Sequence, residues 1–450
     1  MQEKTGNTLF KNIIQPWAIC GLGMLFYCYN YFMRVSPSVM QEDLMQNLHI
    51  NAYQFGTLAA FYYYAYTPMQ IPVGMIYDRL GIRFVQFFAV IITVIGVGVF
   101  MSAPTYSQAC LGRFLIGLGA AFSYIGVLKL ASVWLPTNRF ATAAGMTTAL
   151  GMLAAIFSDE VLTKFVASIG YQSALKMAFM VGIGLCFIIL VFMRSKPKTK
   201  LAHLDKVNHE PMSMKELFTA LREILANKQI WIIGAIGCLF YLPASVFLDL
   251  WGIPYLVAAH GLTHHEAASS ISLVFLGWII SGPSIGALSD NISKRKLPLL
   301  ISSVFSTIMI CIVFYTPGIS LTTLNIAFFF LGIFCGAHPL CFALGKENST
   351  LRFSGTAVAV TNSLIMLGGL IFQPVVGMLL DKHAGDVVLE NGIPLYSAAD
   401  YTYALSIIPI GLLISIILTF LLKETHCKSV VTSESKKIVS KNDLAYGVGV

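Results

Sequence analysis

Apolar and polar residues in this chain do not alternate in the period-two manner of half-buried strands. The apolar residues run on in stretches of about 20, the length that carries a helix across a hydrocarbon core. Twelve such spans are expected: span 1 at 16–40, span 2 at 52–76, span 3 at 84–103, span 4 at 106–133, span 5 at 141–166, span 6 at 174–193, span 7 at 229–256, span 8 at 267–288, span 9 at 298–316, span 10 at 322–345, span 11 at 355–380 and span 12 at 401–422. Pro37, Pro68, Pro72, Pro243, Pro283, Pro339 and Pro374 fall inside them. A membrane bundle tolerates such prolines because neighbouring helices re-satisfy the freed backbone groups. The short alternating strands of a transmembrane β-barrel are missing. The expected fold is all-α: two pseudo-symmetric bundles of six transmembrane helices each.

Polar stretches divide the chain. Residues 195–228 form a basic, proline-containing linker between the bundle at 1–194 and the bundle at 229–422, and a polar tail follows at 423–450. Within the linker, 212–225 is amphipathic enough to lie on a membrane surface as a helix. The one long loop on the opposite side, 382–400, shows no obvious role. The first fifteen residues are polar with no cleavage pattern, so span 1 reads as retained.

Composition agrees with a lipid solvent: 56% of the 450 residues are hydrophobic and 11% charged, against about 25% charged in an average soluble domain. The net charge of +8 reflects topology rather than nucleic acid. With the N-terminus in the cytoplasm, 23 of the 29 Lys and Arg lie on the cytoplasmic side. Three (Lys164, Lys176, Lys382) lie outside and three (Arg34, Arg113, Lys129) within spans. The reverse orientation would invert the positive-inside rule. Both termini are therefore expected in the cytoplasm, and the location is the inner membrane. The nine cysteines, mostly within apolar stretches, show no C-x-x-C and read as small buried hydrophobes. No cofactor or metal is implied. There is no H-E-x-x-H (the closest run is His264-His265-Glu266), no G-x-S-x-G and no P-loop, so neither an enzyme nor an ATP-driven pump is supported.

An internal repeat marks the turn after span 2. Gly74 and Asp78, followed by Arg79, Gly81 and Arg83, return 212 residues later as Gly286 and Asp290, followed by Lys294, Arg295 and Lys296; Arg139-Phe140 returns as Arg352-Phe353. Gly74 and Gly81 are expected to allow close helix approach and a tight turn. Asp78 is placed to accept from cytoplasmic cations such as Arg139. The second copy lacks an equivalent of Arg79, so the firmer latch is expected at Asp78. Parallel repeated halves suit a rocker-type transporter.

On these residues, together with Arg113-xxx-Gly117-xxx-Ala121 in span 4, the chain resembles the major facilitator superfamily from span 1 to span 12. The stretch 31–39, with Arg34, is similar to the first span of organic-anion and sugar-phosphate carriers. The stretches 61–70, 126–131 and 134–136 resemble the phagosomal transporter (Pht) family, associated with uptake of amino acids and in some members nucleosides; lysosomal dipeptide carriers are more distant. The resemblance implies that the Asp78 loop latches the cytoplasmic side in the outward-open state. It also implies a gate or relay position for Lys129, which is equally placed to snorkel to the interface.

A charge within a span costs roughly 2.5–3.5 kcal/mol on insertion scales and needs a reason. At 1.5 Å per residue, Arg34 and Arg113 fall about 7–9 Å to the outer side of their span centres. Two guanidiniums at one depth suit a carboxylate or phosphate; alternatively Arg113 bridges backbone carbonyls. Arg34 repeats as Val246, so the cation belongs to one half only, as a binding role requires. Partners for an ammonium group are Asp249, His338, Asn30 and the rings of Tyr27, Tyr31, Tyr63 and Tyr241. Asp249, about 30 Å into span 7, is expected near the outer surface, and Asp159 and Glu160 likewise toward the outer end of span 5. These three and His338 are the proton-coupling candidates. The expected function is import of a small solute, an amino acid or related carboxylate, by proton-coupled alternating access in a monomer. The alternatives are an organic-anion, phosphate-ester, nucleoside or dipeptide transporter, and a nutrient sensor on a transporter scaffold.

Overall fold

The computed structural model describes residues 14–136, 139–194, 213–385, 389–390 and 393–429. Residues 1–13, the whole first half of the linker and the tail beyond 429 thus lie outside the described residues. Each expected span is a helix or a string of helical pieces. Span 1 is Gln15–Val35, continued by a 3₁₀ turn, Ser36–Met40, and a short helix, Gln41–Leu48. Span 2 is Ala52–Met69, followed by Val73–Leu80; span 3 is Ile82–Met101. Span 4 covers Tyr106–Trp134. Span 5 runs from Phe140–Phe157 through a π turn, Ser158–Leu162, to Thr163–Ile169, and span 6 is Tyr171–Phe192. In the second half the spans are Lys228–His260, His264–Asn291, Lys296–Tyr315, Leu321–Glu347, Ser354–Ala384 and Ala398–Leu421. Among the described residues nine helices are long and apolar enough to cross a membrane on those grounds alone. Spans 1, 2 and 5 fall outside that set, and they carry Arg34, the tyrosine run and Asp159.

The outer wall of the bundle is apolar. Phe187, Ile417 and Phe420 stand among many exposed large hydrophobics, which is the surface a lipid solvent requires. The amphipathic linker helix, Met214–Ala226, does not rest its apolar stripe on lipid alone: Ala220 and Ile224 pack with Ile230, Ala357 and Val360 of spans 7 and 11. Met214, Phe218 and Leu225 of the same helix remain exposed.

Spans 1 to 6 pack on one another, as do spans 7 to 12, and the two halves meet along spans 2 and 11, 5 and 8, and 1 and 7. Spans 2 and 11 touch at backbone distance. A Cβ on Gly56 would stand 2.3 Å from the Gln373 carbonyl oxygen, and one on Gly377 2.2 Å from that of Ala52.

The side that carries loop 382–400, called here the loop face, is closed by contacts between halves. Asp381, at the end of span 11, accepts from the backbone N–H of Ala52 (3.2 Å) and Tyr53 (2.9 Å), so it caps the N-terminus of span 2. Tyr396, from the loop itself, donates to Asp381 at 2.5 Å and accepts from Ala52 N–H at 3.1 Å. The loop, which includes a small hairpin pairing Leu389–Glu390 with Ile393–Pro394, thus straps the two halves together. Gln41 also donates to Tyr401 across the same face.

Candidate functional site

The site is built where span 1 stops being an α-helix. Pro37 has no N–H, so the Met33 carbonyl loses its helical partner, and the chain tightens into the 3₁₀ turn Ser36–Met40. Ser36 Oγ donates to the Met33 carbonyl at 3.1 Å. Arg113 of span 4 donates to the carbonyls of Met33 (2.7 Å, Nη1) and Arg34 (3.2 Å, Nη2). Its guanidinium also lies over the Tyr62 ring, 5.4 Å from the centroid. Arg113 therefore does not pair with Arg34 in a common clamp, because the backbone freed by the proline engages it. Arg113 holds Arg34 in place instead.

Arg34 points toward the other half. Its Nε and Nη2 donate to Asp249 Oδ2 at 2.8 and 2.5 Å, and Nη2 donates to Tyr241 Oη at 3.0 Å. Tyr63 donates to the same carboxylate oxygen at 2.6 Å. The rings of Tyr31, Tyr63 and Tyr241 stand 5.1, 5.3 and 5.8 Å from the guanidinium carbon. Arg34 and Asp249 are 7% and 2% exposed. Asp249 Oδ1 remains buried without a partner.

The expected position of Asp249 near the outer surface is therefore wrong. Span 7 continues to His260, eleven residues beyond it, and is wound as a π-helix over Pro243–Trp251. The expected outer placement of Asp159 is corrected likewise, since span 5 runs on to Ile169 and that carboxylate is fully buried. Glu160 is partly exposed and faces His265. π-Helical turns occur disproportionately at functional sites, and here one carries Asp249 and the other Asp159.

His338 stacks on Tyr241, ring centroids 4.5 Å apart, and sits beside Trp278 and Phe342. Its Nε2 is buried without a partner. Tyr27 joins the aromatic wall through Tyr31, at 5.9 Å, and Tyr124, at 5.4 Å. Asn30 does not join it: its amide nitrogen donates to the Phe26 carbonyl and its oxygen accepts from Thr93, inside the first half. The structure thus brings together Arg34, Tyr31, Tyr63, Tyr241, Asp249 and His338.

The opposite side of the bundle, the linker face, carries the repeated turns. Gly81 has φ +82°, so the tight turn does require a glycine. Gly74 needs no such account, because a Cβ there would meet open space; the expected close approach at Gly74 is corrected. The ion partner of Asp78 is Lys129 of span 4, not Arg139. Arg79 is exposed, and Arg83 donates to the Leu190 carbonyl at 2.8 Å. The second copy is tied in as well, although it lacks an equivalent of Arg79. Arg295 pairs with Asp290 at 2.6 Å and with Glu347 of span 10 at 2.9 Å. Glu424 then accepts from the backbone N–H of Arg295 (2.8 Å) and Lys296 (3.0 Å) at the start of span 9. Burial would raise the Glu424 carboxyl, but these amide hydrogen bonds hold it below the ordinary glutamate value.

The helical fold has known counterparts. A model described as the Major Facilitator Superfamily matches residues 20–373 and again 250–441. The probable galactarate/D-glucarate transporter GudP of Bacillus subtilis is 24% identical over 397 residues, covering 81% of this chain and 86% of its own length. The lysosomal dipeptide transporter MFSD1 of Danio rerio is 21% identical, covering 83% and 82%. Among solved structures, a bacterial homolog of the human lysosomal transporter Spinster, inward-facing and unoccupied, superposes with a TM-score of 0.72 at 17% identity, covering 91% of this chain and 95% of that one. The nucleoside transporter NupG, as a variant, superposes with a TM-score of 0.67 at 14% identity, covering 90% and 98%. The repeat, the twelve helical spans and the family match agree: this chain is a multi-pass membrane transporter, not an enzyme, and belongs to the major facilitator superfamily.

Proposed function

We propose that this transporter imports a small zwitterionic carboxylate, an amino acid or a close relative, by proton-coupled alternating access. The single observation behind this reading is the buried Arg34–Asp249 pair, which has one partner in each half. A zwitterion offers both halves of that pair a replacement. Its carboxylate takes the Arg34 fork bidentately, its ammonium takes Asp249, and the rings of Tyr31, Tyr63 and Tyr241 accept whichever cation faces them. Breaking the bridge on binding leaves neither charge uncompensated. It also uncouples the halves at the point where they must rock. Residues Arg34, Tyr31, Tyr63, Tyr241, Asp249 and His338 form the binding site in this reading, with Tyr27 at its edge and Arg113 as a positioning residue. Asp78, Lys129 and Asp290 act in gating at the linker face. In this reading the linker face is cytoplasmic, which the excess of Lys and Arg on that side supports. The protein works as a monomer in the inner membrane.

A second reading is transport of an organic anion, favoured by the relative whose name specifies galactarate and D-glucarate. An anion would take Arg34 and leave Asp249 uncompensated unless that carboxylate carried a proton. A thermal-shift panel of amino acids, dipeptides, nucleosides, aldarates and phosphate esters on the purified protein separates the two. Stabilisation by zwitterions that disappears in Arg34→Ala and in Asp249→Asn supports the proposal; stabilisation by aldarates that survives in Asp249→Asn supports the second reading.

A further inference from the structure

The molecule holds a second buried carboxylate that the site above does not use. Asp159 is 0% exposed, and neither Oδ1 nor Oδ2 has a hydrogen-bond partner. It sits on the π turn of span 5, packed against the Ser36–Met40 turn of span 1 and against span 8. The hydroxyls beside it are turned elsewhere: Ser158 donates to the Phe32 carbonyl, and Thr163 to the backbone carbonyl of Asp159 rather than to its side chain. An ionised carboxylate in that position costs several kcal/mol, even after relaxation, with nothing to offset it. A neutral carboxyl group removes most of that cost.

The surroundings grade from water to this interior in three steps. His265, at the start of span 8, is 51% exposed, and its Nδ1 lies 3.3 Å from Glu160 Oε2. Glu160 is 25% exposed. Asp159, the preceding residue, is sealed. The charged groups that act on Asp159 are Asp249 of span 7, already paired with Arg34, and Glu160 of its own turn. His265 and Glu160 belong to different halves, so parting of the loop face separates them and uncovers the turn beneath.

We propose that Asp159 is the proton-carrying group of the transport cycle, loaded from the loop face through His265 and Glu160. With the loop face open, a proton from external water protonates the His265 imidazole. As the loop face begins to close and brings His265 back to Glu160, it passes from the imidazolium to the Glu160 carboxylate, and from the resulting carboxyl to the Asp159 carboxylate, which leaves His265 neutral and Glu160 ionised again. Closure of the loop face then seals Asp159 as a neutral acid. This rests on the transporter reading above and adds to it the site that the coupling proton occupies.

The test uses the full chain in lipid nanodiscs and needs no cargo. Infrared spectra at neutral pH are expected to show the carbonyl stretch of a protonated carboxyl that is lost in Asp159→Asn and kept in Glu160→Gln. A band absent from the wild type, or unchanged in Asp159→Asn, overturns the proposal. Should Asp159→Asn not fold, Asp159→Glu is expected to keep the band at a shifted frequency, and an unshifted band counts against Asp159. In proteoliposomes with a radiolabelled mixture of L-amino acids as the probe, a one-unit pH gradient sustains about tenfold accumulation for one coupled proton. Asp159→Asn is expected to keep counterflow and lose that accumulation; accumulation at the wild-type level overturns the proposal. If the amino-acid reading fails, the wild type takes up none of the probe, and the infrared band still decides for or against Asp159.

Discussion

The Arg34 guanidinium and the Asp249 carboxylate form an ion pair 2.5 Å long, with one partner in each half of the molecule. Both are buried, so removing either one leaves a charge without its counterpart. Asp249→Asn or Arg34→Met alone is expected to lower stability by about 3–5 kcal/mol, and the double variant Arg34→Met with Asp249→Leu to recover most of that loss. Thermal unfolding in nanodiscs measures all three; additive losses in the double variant would show that the pair does not bridge the halves as a unit.

Arg113 acts on the site through the backbone it holds. Lysine has no planar fork to serve the Met33 and Arg34 carbonyls together. Arg113→Lys is expected to lose about 1–3 kcal/mol of stability, the cost of a buried acceptor left unmade. It should also weaken cargo binding with the order of preference among cargoes kept. Titration of the best ligand from the thermal-shift panel checks this, and a changed order of preference would mean that Arg113 touches the cargo.

Asp381 closes the loop face by capping span 2 from span 11. Asp381→Ala removes a cap worth about 1 kcal/mol, which raises the ratio of loop-open to loop-closed molecules about fivefold. The rate of maleimide labelling at Ser38→Cys, buried in the closed state and placed in a background without the native cysteines, is expected to rise by that factor.

The Glu424 carboxyl lies below its ordinary value because amide groups of Arg295 and Lys296 bind the ionised form. A carboxyl with a depressed folded-state value stabilises the fold above its unfolded value, and that contribution is lost as pH falls through the folded value. Glu424→Gln is therefore expected to lower the unfolding temperature at pH 7 by the equivalent of about 1 kcal/mol, as for loss of a helix cap. The difference should vanish below the ordinary carboxylate range. A gap that persists in acid would assign the loss to packing.

Three glycines separate contact from conformation. Gly56→Ala drives a Cβ into the Gln373 carbonyl and is expected to cost about 1–3 kcal/mol. Gly81→Ala forces a side chain to φ +82° at about 1–2 kcal/mol. Gly74→Ala enters open space and should stay within about 0.5 kcal/mol. Thermal unfolding of the three ranks them.

The scaffold was legible because lipid imposes it. Runs of about 20 apolar residues, the positive-inside bias and the repeated Gly74/Asp78 turn depend on local composition alone. The site was legible in its residues more than in its pairings. Arg34 and its tyrosines stood out as costly or aromatic, but counting residues along an ideal helix put Asp249 and Asp159 too near the surface. It stopped the spans early, and it had no means of seeing the π turns that carry both carboxylates. For Arg113 a clamp with Arg34 and a bridge to backbone carbonyls both stayed open in the sequence; the demand that decides for the bridge, a carbonyl freed by Pro37 on another helix, is visible only once spans 1 and 4 are packed. Asp381 carried no signal at all: its partner is a backbone N-terminus more than 300 residues away in the chain.

Counterflow in proteoliposomes tests the central claim most directly. Vesicles preloaded with an unlabelled L-amino-acid mixture are placed in the labelled mixture, with wild type, Arg34→Lys and Asp249→Asn compared side by side, and the aldarates galactarate and D-glucarate run as competitors. The account expects rapid exchange in the wild type, its loss in both variants, and no competition from the aldarates. Exchange blocked by aldarates, or exchange that persists in Asp249→Asn, would contradict a site built for a zwitterion between Arg34 and Asp249.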